Sequence, residues 1–267
     1  MPKETLPAPG LGTSGIDDHD ECVQTVLRAL DLGYRHIDTA QMYDNEAAVG
    51  DAIQQSEIDR EEVFLTTKVH PDNLAPEDVR TTTRESLDRL GVEQVDLLYV
   101  HWPIKAYEPT GTLAAFDELV ASGVTRHVGL SNFTPDLLAE AIDLLNAPVF
   151  AHQVECHPLL QQDHLRELAH EHDHDLVAYA PVMQGNADEV PELVTSAETH
   201  GVTPHQVSLA WLLSLDRVVP IPQGRGEHVD QNWAAREITL DEAELEEIAA
   251  ISEERRLVDP DAAAWNR

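Results

Sequence analysis

Four side chains in the N-terminal part of the chain have the makings of proton chemistry. Asp38 and Tyr43 lie five residues apart in HIDTAQMYDNE, Lys68 follows FLTT, and His101 follows LLYV. A phenol with its ordinary pKa near ~10 is a poor acid at neutral pH. An ammonium beside it favours the phenolate and lowers that pKa. Lys68 is the candidate for the positive charge. Asp38 is the candidate for the carboxylate that keeps Lys68 protonated in apolar surroundings. Lysine is otherwise scarce, occurring only at Lys3, Lys68 and Lys105. With Lys68 in place Tyr43 becomes a proton donor, and His101 orients a carbonyl oxygen or shares the donation. Each residue alone has an ordinary reading: a scaffold ion pair for Asp38 and Lys68, a hydrogen-bonded core residue for His101. Their joint placement carries the argument.

That placement depends on the elements around them. Short apolar runs alternate with segments of helical period. The runs lie near GYRHIDTA, EVFLTTKV, VDLLYVHW, VTRHVGLS, VFAHQVEC, DLVAYAPV and RVVPIP, and LGTSG supplies an eighth. Helices are expected over 20–32, 76–90, 113–122, 135–145 and 163–172. Pro76, Pro135 and Pro204 sit where a first helical turn begins, and Gly33, Gly91 and Gly123 just past helix ends. Eight strand–helix units in one continuous chain predict an α/β fold, a (β/α)8 TIM barrel. Segments 204–214 and 241–251 read as two extra helices. No linker interrupts the pattern, so residues 1–267 read as a single barrel domain. No Gly-x-Gly-x-x-Gly follows an early strand, which argues against a doubly wound dinucleotide-binding sheet. Active sites of such barrels lie at the C-terminal strand ends. Asp38, Lys68, His101, Ser131 with Asn132, Gln153 and Tyr179 all fall at those exits.

These motifs, in this order, resemble the aldo-keto reductase family over nearly the whole chain, in particular its group similar to 2,5-diketo-gluconate reductases. The resemblance rests on HIDTAQMYDNE, TTKV, HWP, GLSNF, HQVECHP, AYAP and VVPIP. It implies an oxidoreductase that reduces aldehydes or ketones with a nicotinamide cofactor extended across the barrel mouth. By the resemblance, Asp38, Tyr43, Lys68 and His101 form a catalytic tetrad, with Tyr43 as proton donor. Ser131, Asn132 and Gln153 hold the carboxamide, Tyr179 stacks on the nicotinamide, Asn232 contacts adenine, and Trp102 walls the substrate pocket. A nicotinamide-binding sensor or accessory subunit on the same barrel is the alternative. Such relatives generally lack the histidine of HWP, and double-bond reductases of the family carry glutamate there. His101 argues against both.

The phosphate-binding loop departs from the family pattern. After IP the family usually has Lys-Ser and, soon after, Arg; this chain reads IPQGRGEHVDQN. Gln223 stands for the lysine, Gly224 for the serine and His228 for the arginine. Arg225 is the compensating cation, whereas Glu227 suits ribose hydroxyls and repels a 2′-phosphate. NADPH is the expected cofactor and NADH the alternative. Ser14 stands where an aromatic residue often follows GLGT, the loop after Pro181 is short, and the tail is short, with Trp265 placed to fold over the pocket. An open site of this kind suits small aldehydes, α-ketoaldehydes, ketoacids or sugar-derived dicarbonyls rather than steroids.

Composition excludes other classes. Fifty acids face 17 bases, a formal net charge of -33, which repels nucleic acid and anionic membranes. No apolar run is long enough for a membrane span, and the first ten residues lack a secretion-signal core. The excess acidity resembles that of proteins from salt-accumulating archaea and implies a halophilic, cytoplasmic protein, its charge screened by salt. The two cysteines, Cys22 and Cys156, fit a reduced interior. A monomer acting on a small carbonyl substrate is expected. His170 and His174 in HEHDHD are four apart, a spacing that puts both on one helix face, but the segment reads as a solvated acidic helix end rather than a metal site.

Overall fold

The computed structural model describes residues 5–266. Eight parallel strands run in sequence order: β1 (Leu11–Gly12), β2 (His36–Asp38), β3 (Phe64–Val69), β4 (Val95–Val100), β5 (Thr125–Ser131), β6 (Val149–Glu155), β7 (Asp175–Tyr179) and β8 (Val218–Pro220). The sheet curls until its ends meet. Gly10 N–H donates to Pro220 O at 3.0 Å, Gly12 N–H to Pro222 O at 3.1 Å, and Gly12 pairs with Gln223 in parallel. The result is the (β/α)8 barrel expected from the alternation of apolar runs and helical segments.

Among the described residues ten α-helices surround it: α1 (His19–Leu32), α2 (Glu46–Gln55), α3 (Pro76–Leu90), α4 (Pro109–Ala121), α5 (Pro135–Leu144), α6 (Asp163–Glu171), α7 (Pro191–His200), α8 (Pro204–Ser214), α9 (Glu227–Ala234) and α10 (Glu242–Ala249). Two extra helices are present, as the sequence implies, but one of them is α7 (Pro191–His200) rather than segment 204–214. Helix α8 packs against β8 and α9, and α9 against α1, so both complete the ring; α7 and α10 pack on each other outside it. Local chemistry sets the ends. Asp18 caps α1 by accepting from Glu21 N–H at 2.9 Å, and prolines open α3, α5 and α8. Gly33, Gly91 and Gly123 take positive φ, as helix-terminating glycines do.

The core has two parts. An outer layer of Val, Leu, Ile and Ala lies between strands and helices. An inner layer of Leu6, Phe64, Leu97, Tyr99, Phe150, Ala151, Val177, Val219 and Ile221 fills the barrel. Phe64, Phe150 and His127 stack at the N-terminal strand ends. Gly129 on β5 leaves room for the Tyr99 ring, which a Cβ would meet at 2.3 Å. With the floor filled, the polar strand ends gather at the opposite mouth.

Candidate active site

Strand register delivers the polar residues to that mouth. Asp38 ends β2 and pairs with Gly12 and Thr66; Lys68, one residue from the end of β3, pairs with Tyr99. His101 follows β4, Ser131 ends β5 opposite Gln153, and Tyr179 ends β7 opposite Glu155. Tyr43 rides on the 3-10 turn Gln41–Tyr43 between β2 and α2. Asn45 holds this turn: its side chain donates to Thr13 O at 2.8 Å and accepts from the Thr39 hydroxyl at 2.7 Å. Its neighbour Glu46, buried at the start of α2, accepts from the Thr67 hydroxyl at 2.5 Å and from Arg89 at 2.7 Å.

The four candidates for proton chemistry meet. Fully buried Lys68 donates to Asp38 Oδ1 at 2.5 Å, to Thr39 O at 2.9 Å and to the Tyr43 hydroxyl at 3.3 Å. The Tyr43 and His101 rings stand edge to face with centroids 5.7 Å apart. Burial works against the Lys68 charge, but Asp38 and Tyr43 outweigh it, and its pKa lies above the usual lysine value. Burial also holds His101 well below the ordinary histidine value, and the Lys68 charge adds to the effect. The imidazole is therefore neutral.

Tyr43 corrects one expectation. Burial is the largest influence on its phenol and raises the pKa, and the opposing pull of Lys68, with hydrogen bonds from Lys68 and Ser14, does not cancel it. The phenol is thus a firmly protonated donor rather than an acidified one. The Lys68 charge still favours the phenolate form, but burial outweighs it.

The amide and hydroxyl residues join the same network. Gln153 Nε2 donates to Asp38 Oδ2 at 2.8 Å. Asn132 Nδ2 donates to His101 O and to Ser131 Oγ, both at 3.0 Å, and its Oδ1 accepts from the Tyr179 hydroxyl at 2.9 Å. Two amides and a hydroxyl side by side offer both donors and acceptors, the complement of a primary carboxamide, with the Tyr179 ring beside them. This donor set fits a nicotinamide.

The residues after β8 are less unified. Gln223 lies exposed on the barrel seam, and Asn232 Nδ2 donates to its carbonyl at 3.3 Å. Arg225 reaches toward α1, donating to Gly15 O and lying 3.4 Å from Glu21 Oε2. His228, in the first turn of α9, bonds Gln231 at 3.2 Å. Arg225 in the loop and His228 in α9 thus face different partners.

Trp102 is buried with Ile104 and Ala263, and Trp265 packs on it with ring centroids 5.6 Å apart. The tail therefore folds back so that Trp265 lies against Trp102, the residue that follows His101. His170 and His174 do not share a helix face. Helix α6 ends at Glu171, so His170 stays in the open beside Asp216, while His174 is buried with its ring 6.3 Å from His152. Cys22 and Cys156 are both free and buried, and burial pushes their thiols up to about 11 and about 12.

Comparisons with known proteins agree with this geometry. The family model for the aldo/keto reductase family matches residues 10–253. The chain is 38% identical over 264 residues to methylglyoxal reductase DkgB of Yersinia pestis, covering 97% of this chain and 98% of that one. It is 38% identical over 254 residues to an aldo-keto reductase of Mycobacterium avium (strain 104), covering 95% of this chain and 88% of the relative. Among solved structures, a candidate 2,5-diketo-D-gluconic acid reductase B superposes with a TM-score of 0.92 at 36% identity, covering 97% of this chain and 92% of that one. Aldose reductase from Giardia lamblia superposes at 0.91 with 27% identity, covering 96% of each chain. The chain belongs to the aldo/keto reductase family. It is an oxidoreductase that reduces carbonyl groups to alcohols at the expense of a reduced nicotinamide cofactor, and the reductase relatives do not favour a sensor.

Proposed function

We propose that Tyr43 is the proton donor of this reductase and that small, reactive carbonyls are its substrates. The observation that carries the reading is the Asp38–Lys68–Tyr43 chain ending beside a neutral His101. Ser131, Asn132 and Gln153 hold a nicotinamide carboxamide, and Tyr179 supports the ring. When bound, the reduced nicotinamide supplies the hydride. The substrate oxygen lies between Tyr43 and His101, which polarise it by hydrogen bonding, and Tyr43 gives up its proton as negative charge builds there. The Lys68 ammonium offsets the phenolate, and Asp38 keeps that ammonium in place.

NADPH is the preferred cofactor in this reading, with Arg225 the cation for its 2′-phosphate, His228 beside it and Asn232 at the adenine. Gln223 in place of a lysine leaves NADH usable. Trp102 and Trp265 form an aromatic wall of the substrate pocket. The names of the relatives, methylglyoxal reductase and 2,5-diketo-D-gluconic acid reductase, agree with α-ketoaldehydes and sugar-derived dicarbonyls as substrates. The chain acts as a monomeric, single-domain, cytoplasmic enzyme adapted to high salt. The test is initial rates in molar KCl with NADPH and NADH against an aromatic aldehyde, methylglyoxal and a dicarbonyl sugar derivative. Turnover of methylglyoxal, faster with NADPH, is expected. Absence of turnover from folded, cofactor-bound protein overturns the reading.

A further inference from the structure

One buried carboxylate at the mouth belongs to neither the proton-transfer group nor the cofactor cradle. Glu155 is the last residue of β6, two positions beyond Gln153, and its side chain is fully buried. An isolated buried carboxylate is costly, yet this one is fully engaged. Its Oε1 accepts from Leu257 N–H at 2.7 Å and bonds His157 Nε2 at 2.9 Å, and its Oε2 accepts from Val258 N–H at 2.9 Å. Burial pushes the acid up, but these hydrogen bonds outweigh it and hold the group below the usual carboxylate range.

Both backbone donors belong to the C-terminal tail. Val258 packs into the small apolar cluster of Trp102, Ile104, Ala263 and Trp265. Further along, the Trp265 indole donates to Asp259 Oδ1 at 2.9 Å, and the Arg256 guanidinium lies 4.1 Å over the Trp265 ring. Arg255 N–H adds a bond to Leu159 O at 2.8 Å. Among its described residues the tail contains no α-helix. Its path is therefore set by side-chain packing and by bonds to the barrel, with the ionised Glu155 at their centre.

We infer that Glu155 is a positioning residue for substrate selection: it clamps the tail so that Trp265 stands against Trp102 and completes the aromatic wall. This rests on the reading that these tryptophans line the substrate pocket. Charge-assisted bonds from a carboxylate to backbone N–H groups are stronger than neutral ones. Glu155→Gln removes the charge and leaves only one side-chain oxygen for the two tail amides. Leu257→Pro removes one of those N–H groups and leaves Glu155 itself in place, at the cost of a side chain packed against the outer core layer.

The experiment compares phenylglyoxal, which uses the wall, with methylglyoxal, which is too small to. Glu155→Gln and Leu257→Pro are each expected to raise the ratio of the phenylglyoxal KM to the methylglyoxal KM by about tenfold, the scale of one lost aromatic contact. Hydrogen exchange of the segment 255–266 accelerates in both. Trp265→Ala gives the same shift, and adding Glu155→Gln to it produces no further change in the ratio. A purely structural role predicts loss of kcat for both substrates at an unchanged KM ratio, and that result overturns the clamp. If Trp265→Ala shifts the ratio while Glu155→Gln and Leu257→Pro do not, the clamp fails and the pocket assignment stands. If Trp265→Ala leaves the ratio unchanged, the pocket assignment itself fails. Should Glu155→Gln not fold, Leu257→Pro carries the same test.

Discussion

The Lys68 ammonium donates to the Tyr43 hydroxyl across 3.3 Å, so the phenol oxygen is an acceptor on its lysine side. Its own proton is then free to point elsewhere, toward a substrate oxygen at the mouth. Tyr43→Phe removes this proton and leaves the cofactor residues untouched. Turnover is expected to fall about 100- to 10,000-fold, the usual worth of a positioned general acid. Cofactor binding, read by quenching of protein fluorescence, is expected to persist. Wild-type turnover in this variant would remove Tyr43 from the proton-donor role.

Lys68→Met tests the same chain from the charged end. Asp38 would remain almost fully buried without its cation, with Gln153 still donating to it. Removing one partner of a buried ion pair costs about 3–5 kcal/mol. Denaturant unfolding in molar KCl should show a loss of that size, alongside loss of turnover. The double variant Asp38→Asn, Lys68→Met should recover part of the stability and none of the activity. If the single variant is as stable as wild type, the pair does not carry the charge balance described here.

What the sequence disclosed follows from the period of its pattern. Strand exits are marked by short apolar runs that end in one polar residue, so Asp38, Lys68, His101, Ser131, Gln153 and Tyr179 could be located from the chain alone. Helix α7 carries the same marks, Pro191 and Gly201 at its two ends, but its sequence does not distinguish an extra helix from the ring helix α8 that follows it. Helix α2 carries its apolar residues around Gly50, which blurs its face. The Glu155 clamp was out of reach: its partners lie 102 and 103 residues away, and backbone N–H groups leave no trace in residue type. The direction of the Tyr43 shift is hidden from the sequence for a related reason. The ammonium could be inferred from the sequence, but the extent of burial that opposes it could not.

If Arg225 receives the 2′-phosphate as proposed, cofactor choice turns on a competition for its guanidinium. Its guanidinium lies by Glu21 and Gly15 O, and the pair with Glu21 is about half exposed. Exposed pairs of this kind are weak, so a phosphate can displace the carboxylate. Glu21→Gln is expected to raise the NADPH-to-NADH ratio of kcat/KM, more strongly at low salt than in molar KCl. Gln223→Lys is expected to raise it by about tenfold through a new phosphate contact, the effect of some 1.4 kcal/mol. Unchanged ratios in both variants would place the phosphate site elsewhere.

Salt should govern stability as a whole. A net charge of -33 opposes the compact state through self-repulsion, and the screening length shrinks from about 10 Å at 0.1 M to about 3 Å at 1 M salt. Thermal midpoints are expected to climb steeply with KCl through the molar range. A midpoint that is flat from 0.1 M upward, concentrations set by that same screening estimate, would mean that the acidic surface is not a destabilising load.

The pH dependence of stability has a separate and predictable origin in buried histidines. Burial brings His36 down to about 4 and His152 to about 3, and holds His101 well below the ordinary value of 6.5. His36 is also influenced by Asp38, which raises it, and Lys68, which lowers it. In the unfolded chain all three titrate near the ordinary value. As the pH falls below 6.5 the unfolded state therefore takes up protons that the folded state refuses. Stability is unaffected by these groups above that point and declines below it, each histidine contributing up to about 1.4 kcal/mol per pH unit. For His36 the decline ends once the pH passes below about 4, where the folded state is protonated too. In molar KCl, where general charge repulsion is screened, unfolding free energy is expected to be level above neutrality and to drop before most carboxylates titrate. His36→Gln should reduce the slope by one histidine's share while Thr66, whose hydroxyl lies 3.4 Å from the His36 ring, keeps a side-chain partner. An unchanged slope in that variant would show that His36 is charged in the fold and that its burial does not control its protonation.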